Sequence, residues 1–183
     1  MQKAKSQPNW KRKFTNKEKT ICRQVKEQIT ENQKTEGLKT NELNSLLTGL
    51  DNFIGCYAED QLSNISITGF PAYFIVNLDS SNLPGSHWIS IRVNRKSVEV
   101  FDPAGFEIFK WPRIPCTLLN FLHRLTVTRK ILFSPTLQSP NSHLCGYYCI
   151  FYLLTRTHHS LSKIADYFSD KLSKNDQLLK KFF

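Results

Sequence analysis

A chain of 183 residues is long enough for one domain with a sizeable core and too short for two ordinary ones. Hydrophobic residues at 40% and aromatics at 12%, thirteen Phe among them, exclude a disordered chain, and no apolar run approaches membrane-spanning length or the core of a signal peptide. The net charge of +10 favours polyanionic partners, and five irregularly spaced cysteines argue against a disulfide scaffold and for a reducing compartment.

The charge is concentrated at the start. Residues 1–40 hold eleven Lys or Arg against four Glu, including the run Lys11-Arg12-Lys13. Residues 1–38 are polar and poor in core formers, and so read as a basic, partly disordered or helical extension, helical over 17–33. The extension is either a solvated arm or a nucleic-acid contact, DNA binding through Lys11, Arg12 and Lys13 being the sharper reading. A domain of 39–183 follows. Thr40 is placed to cap a helix over 42–50 whose Leu43, Leu46, Leu47 and Leu50 share one face.

The middle of the chain is β. Residues 72–78 form a near-continuous apolar run, hence a buried strand. Residues 79–86 are a loop. His87 to Val93 alternates as a strand, residues 94–96 turn, and Ser97 to Asp102 returns beside it. This hairpin puts His87 and Asp102 at the same end of the sheet. Asp102-Pro103-Ala104-Gly105 then turns the chain away. Pro115 opens a helix running through Leu125, and Val127 with Ile131, Leu132 and Phe133 reads as a last strand. Gln138 begins a polar, Pro-broken loop into Cys145-Gly146, where an apolar, aromatic helix starts. Two amphipathic pieces, 161–168 and 175–183, close the chain.

Cys145 is the centre of this pattern. A thiol at a helix N-terminus feels the positive end of the dipole, which favours the attacking thiolate, and Gly146 leaves room for a substrate to approach the backbone. His87 is the matching base, Asp102 the group that holds the imidazole tautomer, and Gln138 with the Cys145 backbone N–H the stabiliser of an oxyanion. Each residue alone has a plainer reading: a structural histidine beside Trp88, a turn-forming Asp, a loop Gln, a core thiol. Their order and context lift the set. His143, Cys145 and Cys149 make a poor zinc site, with no fourth ligand and an unusual spacing, so no metal is expected. Cys149 reads as a core thiol under the site, Trp88 as packing beside the imidazole, and His158-His159 as cationic side chains at a helix end.

Three stretches resemble the adenovirus protease (adenain) family and its relatives in polinton-like and other DNA viruses. Gln138 followed by Ser139-Pro140-Asn141-Ser142, two residues, and Cys145-Gly146 is similar to that family's Gln, Gly-Pro-Asn-Ser and Cys-Gly. Gly85-Ser86-His87-Trp88 resembles its His-Trp strand, and Phe101-Asp102-Pro103-Ala104-Gly105-Phe106 its Phe-acid-Pro-Phe-Gly-Phe. The resemblance covers about residues 53–154. It implies an α+β fold with a papain-like site in permuted order, a mixed sheet packed against helices, and catalysis by His87, Asp102, Gln138 and Cys145. It further implies a viral thiol endopeptidase, a late protein that cleaves precursor proteins at Gly-rich sites during virion maturation, located in the virion and the host nucleus. No cofactor is needed for the chemistry, while DNA or a viral peptide is the expected activator. The basic extension has no counterpart in adenain, and Cys116 does not stand where that family tethers its peptide. A monomer with no membrane association is expected. Two alternatives stay open: a deconjugase of ubiquitin-like modifiers of the Ulp/SENP kind, which shares the His, Asp, Gln, Cys order, and a DNA-binding protein on an inactive protease scaffold.

Overall fold

A computed structural model describes residues 10–31, 37–105 and 114–183. Its centre is a five-stranded sheet in sequence order: β1 (Phe53–Ala58), β2 (Ala72–Asn77), β3 (Trp88–Val93), β4 (Ser97–Phe101) and β5 (Lys130–Phe133). The two inner pairings, β2 with β3 and β3 with β4, are antiparallel, while the edge strands β1 and β5 run parallel to their neighbours. The helices are α1 (Asn16–Glu31), α2 (Thr40–Leu47), α3 (Cys116–Thr126), α4 (Cys145–Arg156), α5 (Leu161–Ala165) and α6 (Leu172–Phe182), with 3-10 turns at Trp10–Lys13 and Glu59–Asn64. This is the mixed α+β fold, with a sheet packed against helices, that the sequence predicts.

Strand alternation divides the core in two. Tyr73, Ile75, Trp88 and Phe101 face α4 together with α1, α2 and α6. Phe74, Val76, Ile89, Ile91, Val93, Val98 and Val100 face the opposite way, against Leu118, Phe121 and Leu122 of α3. All six residues of β2 are buried, which accounts for its unbroken apolar run. The polar residues of the inner strands, Ser90, Arg92 and Glu99, belong to the α4 face. There the side chains of α4 cover them, and Tyr152 and Arg156 bond Glu99.

The described part of the N-terminal segment is folded. Trp10, Phe14, Ile21, Cys22 and Val25 are buried in the same cluster as α4 and α6. The Trp10 ring meets His159 edge-on at 4.2 Å and Tyr167 at 5.5 Å. The expected disorder toward the chain start falls on residues 1–9, which lie outside the described residues, as do 32–36 and Phe106.

Several local expectations shift. The cap of α2 is Lys39, not Thr40, and its backbone N–H donates to Glu42 Oε2 at 2.7 Å. Pro115 stands just before α3 and accepts the Leu119 N–H through its carbonyl. Val127 is 73% exposed and ends α3 instead of starting a strand. The last helix begins at Leu172, ahead of the expected 175, and so forms three turns rather than two.

Candidate active site

Helix α4 begins at Cys145, and its first eleven residues are all buried. No polar face is left, which is why the sequence reads as a core helix from its first turn. The first N–H groups of an α-helix have no partner inside it, so Cys145 carries both a thiol and an unshared backbone donor at the positive end of the dipole. Just upstream, the Ser142 hydroxyl accepts the Leu144 N–H at 3.3 Å and fixes the entry to the helix.

His87 lies immediately before β3 and Asp102 immediately after β4, at one end of the antiparallel pair. The His87 Nε2–H donates to Asp102 Oδ1 at 2.7 Å, which leaves Nδ1 as the ring nitrogen available to the Cys145 thiol. Burial alone lowers the imidazole pKa, but the Asp102 and Cys145 hydrogen bonds and the charges of both reverse it and raise the value to about 9.

Asp102 is itself held from three sides. Its Oδ1 also accepts the Ala104 N–H at 2.8 Å, its own N–H donates to Ser134 Oγ at 2.8 Å, and the Ser134 hydroxyl donates to the Asp102 carbonyl at 2.9 Å. The turn that follows places Gln138, because the Pro103 carbonyl accepts the N–H groups of Leu137 and Gln138 at 2.8 and 2.7 Å. Gly105 adopts φ +86°, and a Cβ there would clash with the Thr136 side chain, so the turn and the Gln138 loop fit only with glycine. Gln138 is buried, and its Nε2 donates to the Ser142 carbonyl at 2.6 Å, three residues ahead of Cys145. An amide nitrogen carries two hydrogens, so one remains for a second acceptor.

His87 and Cys145 open into a cleft of about 340 Å³ formed by three stretches, 37–39, 84–88 and 142–145. The first was not legible in the sequence. The Leu38 carbonyl accepts the Trp88 indole N–H at 2.8 Å, and Leu38 packs so closely on α4 that a Cβ at Gly146 would lie 3.1 Å from Leu38 Cβ and 3.5 Å from Trp88 Cδ1. The space at Gly146 that the sequence assigns to substrate is therefore filled by Leu38 and Trp88. Trp88 is tied to this strap of chain.

The other thiols contrast with Cys145. Cys149 is fully buried, its Sγ–H directed at the Trp88 carbonyl at 3.5 Å, and burial pushes it well above the usual thiol range. Burial likewise pushes Cys56 up to about 12 and Cys22 up to about 11. Cys116 is exposed at the first turn of α3. Among the described residues no group of three or more His, Cys, Asp or Glu side chains is arranged to hold a metal ion.

Lys11, Arg12 and Lys13 lie in the first 3-10 turn, away from the cleft. Lys11 donates to the Phe183 carbonyl at 3.2 Å and sits over the Phe182 ring, whereas Arg12 and Lys13 are exposed. His158 follows the end of α4 and pairs with Glu18 of α1 at 3.1 Å.

No protein-family model matches the sequence, and neither does any curated protein. Among solved structures, the selenomethionine crystal structure of the ASFV pS273R protease matches with a TM-score of 0.51 and 19% identity, over 81% of this chain and 67% of that one. The chain shares the fold of that protease. At that identity the likeness concerns architecture, and the roles of individual residues rest on the geometry of this chain.

Proposed function

We propose that the chain is a viral cysteine endopeptidase with Cys145 as nucleophile. The observation that carries this reading is the buried His87, hydrogen-bonded to Asp102 at 2.7 Å and lining one cleft with Cys145, which stands at a helix N-terminus and helps raise the imidazole pKa. In the first step Cys145 reacts as the thiolate, its proton held on the His87 cation, and the sulfur bonds to the carbonyl carbon of the scissile peptide. The oxyanion faces the Cys145 backbone N–H and the second hydrogen of Gln138 Nε2. His87 then gives its proton to the leaving amine as the C–N bond breaks, and water, deprotonated by His87, releases the acyl group from sulfur. Asp102 holds the ring and favours its cation throughout.

The finer reading rests on the resemblance of the segments around His87, Asp102 and Cys145 to the adenain family. It takes viral precursor proteins as substrates, cut near glycine in the virion and host nucleus, with DNA contacted by Arg12 and Lys13 as an accessory partner. The test pairs two substrates, a peptide with glycines flanking the cut and a ubiquitin-like modifier fused through its C-terminus. Each is incubated with the wild-type chain, Cys145→Ala and Cys149→Ala. Cleavage of the peptide that survives in Cys149→Ala and vanishes in Cys145→Ala is the expected result. Cleavage of the fusion alone would assign a deconjugase. Equal losses in both variants would remove Cys145 from its role, and no cleavage of either substrate by the wild-type chain would favour an inactive scaffold.

A further inference from the structure

A second cavity, of about 360 Å³, lies at the other end of α4 from Cys145. Its walls include Lys17 of α1, Tyr73 of β2, Arg92 of β3 and Arg156, the last residue of α4. Arg156 stands eleven helical steps beyond Cys145, about 16 Å along the axis, so this site is distinct from the cleft.

The charges around its floor do not balance. Arg92 and Arg156 both pair with one carboxylate, Glu99, at 3.0 and 2.6 Å, and all three side chains are largely buried. Two guanidinium groups on one carboxylate leave one positive charge in excess. Of the lining acids, Glu18 is taken up by the Thr15 N–H, the Thr157 hydroxyl and His158. Asp51 also lines the cavity and is exposed, so solvent screens its charge as it screens that of Lys17.

Hydrogen-bond donors are also left over. Arg92 uses Nε on the Tyr73 hydroxyl and Nη1 on Glu99, so Nη2 has no acceptor among the described residues. The buried Tyr73 hydroxyl accepts from Arg92, and its own hydrogen has no acceptor there either. The Lys17 ammonium makes no hydrogen bond or ion pair among the described residues and lies where a Cβ on Gly49 would be 3.7 Å away. Three donors without acceptors, beside an uncompensated buried cation, call for a ligand that carries only acceptors and negative charge.

We propose that this cavity binds a phosphate group, with Lys17 and Arg92 meeting its charge and Tyr73 donating to one oxygen. Phosphate supplies several acceptor oxygens in the geometry that guanidinium and ammonium groups match best. The group arrives either as a small polyphosphate or as the backbone of a nucleic acid. The proposal is independent of the proteolytic reading, since none of the three residues belongs to the catalytic set.

The test measures the rise in melting temperature of the full chain on adding sodium tripolyphosphate or a short oligothymidylate at low salt. The variants are Lys17→Glu, Lys19→Glu and Tyr73→Phe. Lys19 shares the exposed surface of α1 but does not line the cavity, so it reports general attraction to a basic surface. Binding is expected in the wild-type chain and in Lys19→Glu, weaker by about tenfold or more in Lys17→Glu and reduced in Tyr73→Phe. A response to tripolyphosphate alone identifies a small ligand, and a response to the oligonucleotide alone identifies a backbone phosphate; both patterns support the site. Equal weakening in Lys17→Glu and Lys19→Glu, or no response to either probe, overturns it.

Discussion

Two opposed influences meet at the imidazole of His87. Burial favours the neutral ring, while the Asp102 and Cys145 hydrogen bonds and charges favour the cation and prevail, setting the pKa at about 9 against an ordinary 6.5. A folded-state pKa raised above its unfolded value stabilises the fold fully below about pH 6.5, and this contribution is lost as pH rises through about 9. The stability difference between the wild-type chain and Asp102→Asn is therefore expected to be largest near pH 6 and to shrink toward pH 9.5 in urea titrations. A difference that stays constant over that range would mean that the His87 cation is not held by Asp102. At this scale His87, Asp102, Gln138 and Cys145 are legible from residue type, chain order and context. Ser134 and Leu38 are not, because a hydroxyl under Asp102 and a backbone carbonyl under Trp88 leave no mark that separates them from any other Ser or Leu.

Among the elements, α4 contributes more than its first residue. Its far end is fastened to the sheet through Arg156 and Tyr152, which both bond Glu99 of β4, at 2.6 and 2.8 Å. Burial pushes the Glu99 carboxyl up, and the Arg156 bonds and charge, with Tyr152 and Arg92, bring it below the usual carboxylate range. Glu99→Gln keeps the shape but strands two buried guanidinium groups. It is expected to cost about 3–5 kcal/mol, read as a lower urea midpoint at unchanged slope. A loss under about 1 kcal/mol would show that water reaches these arginines freely. The hairpin of β3 and β4 was legible because apolar residues alternate along it. Glu99 and Arg92 were not recognisable as buried, since polar residues in an alternating strand look like its solvent face. The edge strand β1 is likewise hard to recognise in the sequence. Its Gly55, at φ +134°, goes with a register shift between Phe53 and Gly55 that interrupts the strand pattern.

At the scale of the whole molecule, the described N-terminal residues Trp10, Phe14, Ile21, Cys22 and Val25 belong to the core. Phe14 is buried, stacks on His158 at 5.5 Å and meets the edge of Phe182 at 6.1 Å, so it ties the N-terminal segment to the C-terminal part of the chain. Phe14→Ala is expected to destabilise the fold by about 3–5 kcal/mol. An unchanged melting temperature would instead mark residues 10–31 as a detachable arm. Composition hid this arrangement. Ile21, Cys22 and Val25 make a thin apolar stripe on a helix whose remaining residues are mostly charged or amides, and Trp10 and Phe14 lie outside its period. A few large side chains seated in a cleft of the core anchor a segment that average polarity would place in solvent.

The three stretches that wall the cleft, 37–39, 84–88 and 142–145, come from distant parts of the chain. A molecule lodged there acts as a temporary crosslink among them, even when it reacts with nothing. Its occupancy adds to the stability of the entire fold by an amount that grows with the logarithm of its concentration. Ligands of the cleft can thus be sought by the heat the protein withstands, before any natural partner is in hand.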